Sequence, residues 1–282
     1  MINKDILLAL SEKSPLLATK PEDLYFYSNL QNKAGLQQQF PLPGVHKFLN
    51  KPEEDRSIPN YPKDFSYHIN DIGFRDLYPD PSTKNVMGFF GCSCTFGEGL
   101  PTEDLFVTHI SKHFNKPCLN LGQPGASASR IALVFAAASR VWDIDTAVIT
   151  FPSWSRFLYV SSENCMHNVL PPNRTQPEEA EKIRMSLIKD FSDQHLMFSF
   201  KDAVCYIIAT AREKNIKLYF GSWDAESIEI IRSITRCEAL LFNLGLTSET
   251  ARDKVHPGPR ASSAYAKKII DKIEREDCVK TR

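Results

Sequence analysis

The sequence predicts a chain of the α/β class, in which helices cover both faces of a parallel sheet. Five short apolar runs are typical of buried strands, at residues 85–90, 116–121, 145–151, 216–222 and 238–242. Helical patterns separate these runs, and strands that alternate with helices favour a parallel sheet. Such sheets bind ligands at the carboxyl ends of their strands. Functional residues are therefore expected directly after the apolar runs.

The first 84 residues differ from the rest of the chain. They are rich in proline and polar residues, as in FPLPGVHKFLNKPEEDRSIPNYPKDF, and contain few periodic segments. We expect residues 1–84 to form a partly irregular N-terminal extension or cap. The main domain is predicted to cover residues 85–276, and residues 277–282 form a short tail.

Helices are predicted between and after the strands. In the first pattern, residues 103–114, three apolar side chains fall four residues apart (Phe106, Ile110 and Phe114) and form a stripe. Within 175–191, a proline suits the first helical turn and acidic residues follow it. Further helical patterns cover residues 129–142, 197–213 and 259–275.

Composition excludes several classes of protein. Lysine plus arginine and aspartate plus glutamate number 34 each, so no whole-chain basic field points to nucleic acid. No stretch approaches the roughly 20 apolar residues that span a bilayer. Seven scattered cysteines do not fit a disulfide framework. The short apolar patch after Asp5 fits a secretory signal poorly. We expect a cytoplasmic protein with no nucleic-acid partner and no membrane span, and composition leaves its oligomeric state open.

The first predicted strand ends in an unusual turn, GFFGCSCTFGEGL (88–100). A phosphate-binding loop would need a lysine followed by serine or threonine, which this stretch lacks. A redox pair is usually spaced CxxC, whereas Cys92 and Cys94 have one residue between them. Glycines at strand ends also serve simple backbone turns. The remaining interpretation makes Ser93 a nucleophile.

A nucleophilic serine needs a base and a carboxylate that orients the base. Both residue types occur near the other end of the chain, in ARDKVHPGPRASSAYAKKI. Asp253 and His256 stand three residues apart, just before the last predicted helix, so that one turn can carry both groups. The order serine, aspartate, histidine is that of many hydrolases.

Three stretches together resemble sequence blocks of the SGNH/GDSL hydrolase superfamily. They are GCSCTFGEGLPTEDLF, LNLGQPGASASRI and DKVHPGPRASSAYAKKI, in the order found in that group. The upstream segment INDIGFRD is similar to an Asn-x-x-Gly-Phe-Arg segment that often precedes the serine block. The resemblance covers roughly residues 70–275 and leaves the first 70 unexplained.

This resemblance implies a fold and an activity. The fold is a flavodoxin-like three-layer α/β/α sandwich with a mostly five-stranded parallel sheet. The activity is ester hydrolysis, or acyl transfer, through an acyl-serine, without a metal or cofactor. Carried over, Ser93 is the nucleophile, His256 the general base and then acid, and Asp253 its orienting partner. The backbone N–H groups of Ser93 and Gly125 would form the oxyanion hole.

Two positions depart from the pattern of this group. Cys92 replaces the aspartate of Gly-Asp-Ser, which is not a member of the triad. The segment after the third strand, ITFPSWSRF, lacks the asparagine whose side chain donates to the oxyanion. Loss of such a donor typically slows turnover on the order of 100- to 1,000-fold. Ser153 is nearest to the expected position, and Arg156 offers a charged donor or a clamp for an anionic substrate group. Alternatively, Ser153 caps a helix and Trp154 packs.

Other candidates carry less chemistry. His109 and His113 have the spacing of a helical metal pair but lack nearby partners, so we expect no metal site. Trp223 and Asp224 follow the fourth strand and either line the cleft or, for Asp224, cap a helix. The sequence thus predicts a serine esterase acting on a small-molecule or carbohydrate ester. An O-acyltransferase with the same triad and a non-catalytic binding protein stay open as alternatives.

Overall fold

The computed structural model describes residues 18–21, 24, 44–48, 65–160, 166–169, 192–236, 239–241, 250–251 and 256–275. Several predictions fall outside these described residues. They include most of the N-terminal extension, the helix predicted within 175–191, Asp253 and the tail.

Helices separate most of the strands along the described chain from residue 86 onwards. The strands are β1 (Gly44–Phe48), β2 (Phe65–Ile69), β3 (Val86–Gly91), β4 (Cys118–Gly122), β5 (Ile144–Phe151), β6 (Phe157–Val160), β7 (Met166–Val169), β8 (Lys217–Ser222) and β9 (Leu240–Leu241). The α-helices are α1 (Ser93–Phe96), α2 (Phe106–Phe114), α3 (Ala128–Val141), α4 (Asp193–Lys214), α5 (Ala225–Thr235) and α6 (Pro259–Glu274). None of the helices that the structure describes combines the length and apolarity needed to cross a membrane.

A parallel sheet with the strand order β4-β3-β5-β8-β9 forms the centre of the fold. The α/β class and the parallel sheet are therefore confirmed. Four of the strands have five to eight residues, whereas β9 has only two and pairs with the last two residues of β8. The expected fifth strand is thus reduced to a short edge. Two antiparallel pairs, β1 with β2 and β6 with β7, were not expected from the sequence.

Two successive aromatic residues of β3 pack against helices on opposite faces of the sheet. The ring of Phe89 packs edge-on against Phe106 of α2, which in turn packs against Tyr265 of α6. The next residue, Phe90, points to the opposite face and packs edge-on against Phe135 of α3. Because successive strand residues face opposite sides, β3 holds both helical layers. α4 and α5 lie in the layer of α3, which completes a three-layer α/β/α arrangement.

The chain reverses its direction of travel across the sheet at β3. It passes from β3 to β4 on one side and then to β5 on the other. Such a switch point leaves a crevice between the connections at the carboxyl ends of the strands. The turn that contains Ser93 begins at this place, directly after β3.

Arg75 attaches the segment before β3 to the turn that follows it. Its side chain is fully buried, and its Nη1 donates to the carbonyl oxygens of Phe96 and Gly97 at 2.9 and 2.6 Å. Nη2 donates to the carbonyl oxygen of Leu100 at 2.7 Å. The guanidinium also lies over the ring of Tyr67, at 4.7 Å from its centroid. The arginine of the INDIGFRD segment thus binds the carbonyl groups at the end of α1.

Candidate active site

Close packing of glycine backbone places α1 at the carboxyl end of β3. A Cβ atom on Gly91 would lie 2.6 Å from the carbonyl oxygen of Thr150 in β5. A Cβ atom on Gly122, at the end of β4, would lie 2.7 Å from the carbonyl carbon of Thr95 in α1. Both approaches require glycine, because side chains at these positions would push the strands and the helix apart. α1 therefore starts at Ser93 with its first turn held against the end of the sheet.

The side chains of Ser93 and His256 meet at this position. His256 Nε2 lies 2.7 Å from Ser93 Oγ, which is hydrogen-bonding distance. The His256 backbone is fixed by a bridge between Thr250 and Pro257 and by the N–H of Ala251, which donates to the His256 carbonyl oxygen at 2.7 Å. Pro259 then begins α6 directly after this turn. Two segments 163 residues apart in the chain thus form one polar pair.

A carboxylate that the sequence did not indicate lies beside the imidazole. Glu98 Oε2 is 3.7 Å from His256 Nε2, and both side chains are largely buried. Glu98 follows Ser93 by five residues. Gly97 ends α1 with a left-handed φ of 80° and turns the chain back just before Glu98. The only sign of this contact in the sequence is the glycine at position 97, a residue type that often ends helices in a left-handed conformation. Asp253, the predicted orienting residue, lies outside the described residues.

Gly125 lies in the loop after β4, on the other side of Ser93. The N–H of Gln123 donates to the carbonyl oxygen of Gly91 at 3.0 Å and so attaches this loop to the end of β3. Gly125 has a φ of 77°, and a Cβ atom placed on it would meet nothing within 4 Å. The side of Gly125 on which a side chain would stand is therefore open, and its role as an oxyanion donor stays a prediction.

The loop after β5 contains the polar residues expected in place of the missing asparagine. Ser153 Oγ lies 3.0 Å from Ser155 Oγ, within the loop itself. The N–H of Trp154 donates to Ser227 Oγ at 2.9 Å, and its indole N–H donates to Glu226 at 2.7 Å. Trp154 thus packs against α5, as the alternative interpretation of this loop predicted. Ser153 does not cap a helix, as the same interpretation had expected.

Arg156 lies in the same loop with its side chain 8% exposed. Its guanidinium stacks on the ring of Trp223, at 5.2 Å from the centroid. Nε and Nη1 are both buried and have no hydrogen-bond partner among the described residues. The structure therefore places a charged group with unused donors at the edge of the sheet where Ser93 lies.

Trp223 connects Arg156 to the serine turn. Its indole N–H donates to the sulfur of Cys92 at 3.3 Å, so Cys92 accepts a hydrogen bond where the Gly-Asp-Ser pattern has an aspartate. The neighbouring Asp224 caps α5, because its side chain accepts from the N–H of Ser227 at 3.0 Å. Of the two roles predicted for Asp224, the helix cap is therefore the one that the structure shows.

The two cysteines beside Ser93 are buried and differ in their acidity. The hydrogen bond with Cys94 lowers the pKa of Cys92, and the positive charge of Arg156 adds to this effect. The same hydrogen bond and burial raise the pKa of Cys94. Among the described residues both are free cysteines. A buried thiol is poorly accessible to redox partners, so this pair has little of the character of a redox motif.

The two histidines with metal-pair spacing lie on α2. His113 Nε2 lies 2.9 Å from Glu274 of α6, and this pair links two helices at the surface. Within the described ranges, no group of three histidine, cysteine or acidic side chains is arranged to hold a metal ion.

A serine hydroxyl bonded to an imidazole, at the carboxyl edge of a parallel sheet, is the arrangement of enzymes that use a serine nucleophile.

Comparison with solved structures finds esterases. An acetyl xylan esterase of Butyrivibrio proteoclasticus is 13% identical with a TM-score of 0.42, over 76% of this chain and 66% of that one. A carbohydrate esterase family 2 enzyme of Corynascus thermopiles is 12% identical with a TM-score of 0.46, over 72% and 69%. The esterase EstA of a Pseudoalteromonas species is 11% identical with a TM-score of 0.43, over 68% and 98%.

The chain thus spans just under two thirds of the acetyl xylan esterase. A further neighbour, a lipolytic protein of the G-D-S-L family from Desulfitobacterium hafniense, is 12% identical with a TM-score of 0.44, over 67% of this chain and 99% of that one. At such identities the likeness concerns the fold. No family model and no curated protein matches the sequence.

Proposed function

We propose that this chain is a serine ester hydrolase that works through an acyl-serine intermediate. One observation carries the proposal, namely the 2.7 Å contact between Ser93 Oγ and His256 Nε2 at the carboxyl end of β3. A serine hydroxyl is a weak nucleophile until a base accepts its proton, and imidazole is the base best suited to neutral pH.

The proposed reaction has two halves. In the first, His256 takes the proton of Ser93 while Oγ attacks the ester carbonyl, and the protonated imidazole then gives this proton to the leaving alcohol. In the second, His256 takes a proton from water while the water oxygen attacks the acyl-serine; the protonated imidazole then gives this proton to Ser93 Oγ as the carbon–Oγ bond breaks, and the acid is released. The backbone N–H groups of Ser93 and Gly125 are proposed to bind the oxyanion that forms in each half.

Two carboxylates are proposed to support the imidazole. Asp253 would orient His256 from its position three residues earlier in the chain. Glu98, at 3.7 Å from Nε2, favours the protonated imidazole that forms during catalysis. The substrate is proposed to be a small-molecule or carbohydrate ester, as the resemblance implies.

Labelling with a fluorophosphonate probe tests the nucleophile. We expect labelling of wild type at Ser93, none in Ser93→Ala, and a loss of at least 100-fold in rate in His256→Ala. Matched controls are Ser233→Ala and His195→Ala, which change exposed residues of α5 and α4 and should label as wild type does. Absence of labelling in folded wild type, together with no hydrolysis of the small ester p-nitrophenyl acetate, would contradict the proposal.

Two rival activities predict different results in the same assays. An acyltransferase would label at Ser93 but release acid slowly until a sugar acceptor is added. A binding protein would neither label nor hydrolyse. The observation that bears on this last alternative is the loop after β5, which lacks the asparagine and in which Ser153 Oγ contacts Ser155 Oγ at 3.0 Å.

A further inference from the structure

Arg156 is a buried cation whose hydrogen-bonding capacity is not used by the described protein. Its side chain is more than nine-tenths buried, and two of its nitrogen atoms have no hydrogen-bond partner among the described residues. A guanidinium keeps its charge in proteins and offers donors in a planar fork. Burial of such a group without a partner is unfavourable, so its retention here calls for an anion.

The nearby carboxylates are engaged elsewhere. Asp224 accepts from the N–H and hydroxyl of Ser227 at the start of α5. Glu226 accepts from the indole N–H of Trp154. Among the described acidic residues, none forms an ion pair with Arg156. The described carboxylates of the surrounding loop and helix thus do not pair with Arg156.

Arg156 is also held in one place relative to the nucleophile. Its guanidinium stacks on Trp223, and Trp223 donates to Cys92, the residue before Ser93. The backbone N–H of Arg156 donates to the carbonyl oxygen of Ser153 at 3.1 Å, which closes the loop behind it. A stacked, backbone-anchored arginine is preorganised for binding, because little side-chain freedom is lost when a ligand arrives.

We propose that Arg156 binds an oxyanion group, a carboxylate or a phosphate, on the ester substrate, with Trp223 supporting the guanidinium. This proposal rests on the proposed hydrolase function and names the class of its substrate, namely negatively charged esters. Glu98 lies beside His256, so the anionic group of the substrate is expected near Trp223 and away from that carboxylate.

A different role for Arg156 would be donation to the oxyanion of the reacting carbonyl. The two roles predict different kinetics. An oxyanion donor acts in the transition state of every ester, so its loss lowers kcat for neutral and anionic esters alike. A substrate clamp acts only on anionic esters, and its loss raises KM or lowers kcat/KM for these alone.

Two pairs of aryl esters separate these roles. Mono-p-nitrophenyl succinate and p-nitrophenyl butyrate differ by a carboxylate on the acyl side. The acetyl esters of 4-hydroxybenzoate and of its methyl ester differ by a carboxylate on the alcohol side. In Arg156→Met we expect kcat/KM for at least one anionic ester to fall on the order of 10- to 100-fold, while its neutral partner changes less than about 3-fold. Arg156→Lys should retain part of the preference, and Arg232→Met, which changes an exposed arginine of α5, should retain all of it.

Binding without turnover gives an independent readout. In Ser93→Ala, we expect succinate or methyl phosphate to raise the melting temperature, and this rise should vanish in Ser93→Ala/Arg156→Met. The ligand that gives the larger rise identifies carboxylate or phosphate as the preferred group. Equal losses on charged and neutral esters, or a rise in melting temperature that persists without Arg156, would overturn the anion site. Neither result would touch the hydrolase proposal, which fails only if wild type leaves Ser93 unlabelled and cleaves no ester.

Discussion

Replacement of Arg75 by methionine tests how the serine turn is held. Methionine keeps the apolar stem but removes the donors to the carbonyl oxygens of Phe96, Gly97 and Leu100, at 2.9, 2.6 and 2.7 Å. These carbonyl groups surround a fully buried side chain and would lose a charged donor each. Hydrogen bonds to charged groups contribute about 1.5–3 kcal/mol each. Relief from burying the guanidinium offsets part of that sum.

We therefore expect Arg75→Met to lower the free energy of unfolding by about 3–5 kcal/mol. The assay is urea denaturation followed by tryptophan fluorescence and by circular dichroism, compared at equal m-values. Arg75→Lys supplies a single point donor and should fall between the two proteins. Arg232→Met, a surface change at an exposed ion pair with Glu229, should cost less than about 0.5 kcal/mol. A loss below about 1 kcal/mol in Arg75→Met would refute the reasoning that these bonds hold the turn.

Three further predictions concern the site and its support. Glu98→Gln should move the acid limb of the pH profile of kcat/KM to lower pH, because a carboxylate beside an imidazole favours the protonated form; the exposed Glu103→Gln should leave the profile unchanged. Gly91→Ala should cost at least about 2 kcal/mol in urea denaturation, because its Cβ would lie 2.6 Å from the Thr150 carbonyl oxygen, and a wild-type midpoint would contradict the close approach. Burial raises the pKa of Tyr265, whose hydroxyl lies 3.1 Å from Thr150 Oγ1. The folded protein therefore keeps this phenol protonated where the unfolded chain loses its proton, so stability should decline above about pH 10, and Tyr265→Phe should show a shallower decline.

Most of the fold follows from local patterns in the sequence. The four longer strands lie within two residues of the predicted apolar runs, because strands buried on both faces are continuous apolar segments. Of the last predicted run, 238–242, the structure describes a strand at Leu240–Leu241, which pairs with the end of β8. The helix α5 was not predicted, and its start is visible in the sequence only as the capping aspartate Asp224.

The site was predictable where one residue type carries the chemistry. Ser93 and His256 are indicated by a nucleophile at a strand end and a histidine before the last helix, and the structure places them in contact. The contacts of Glu98 and of the Cys92–Trp223–Arg156 chain could not be predicted in this way. They depend on a left-handed turn at Gly97 and on the packing of three loops that are distant in sequence. The hydrophobic periodicity of a sequence indicates which face of a single helix or strand is buried. It contains no information about which loops contact one another in the fold.

The bonds of Arg75 also decide where an active fragment of this chain can begin. Composition places a boundary near residue 85, just before β3. A fragment cut there would lack both Arg75, which binds the carbonyl groups after Ser93, and Tyr67, whose hydroxyl accepts the N–H of Gly99 at 2.6 Å. The segment of residues 65–78 is therefore part of the machinery that shapes the serine turn, although it belongs to no strand of the central sheet. A fragment that keeps the support of the serine turn therefore starts no later than β2.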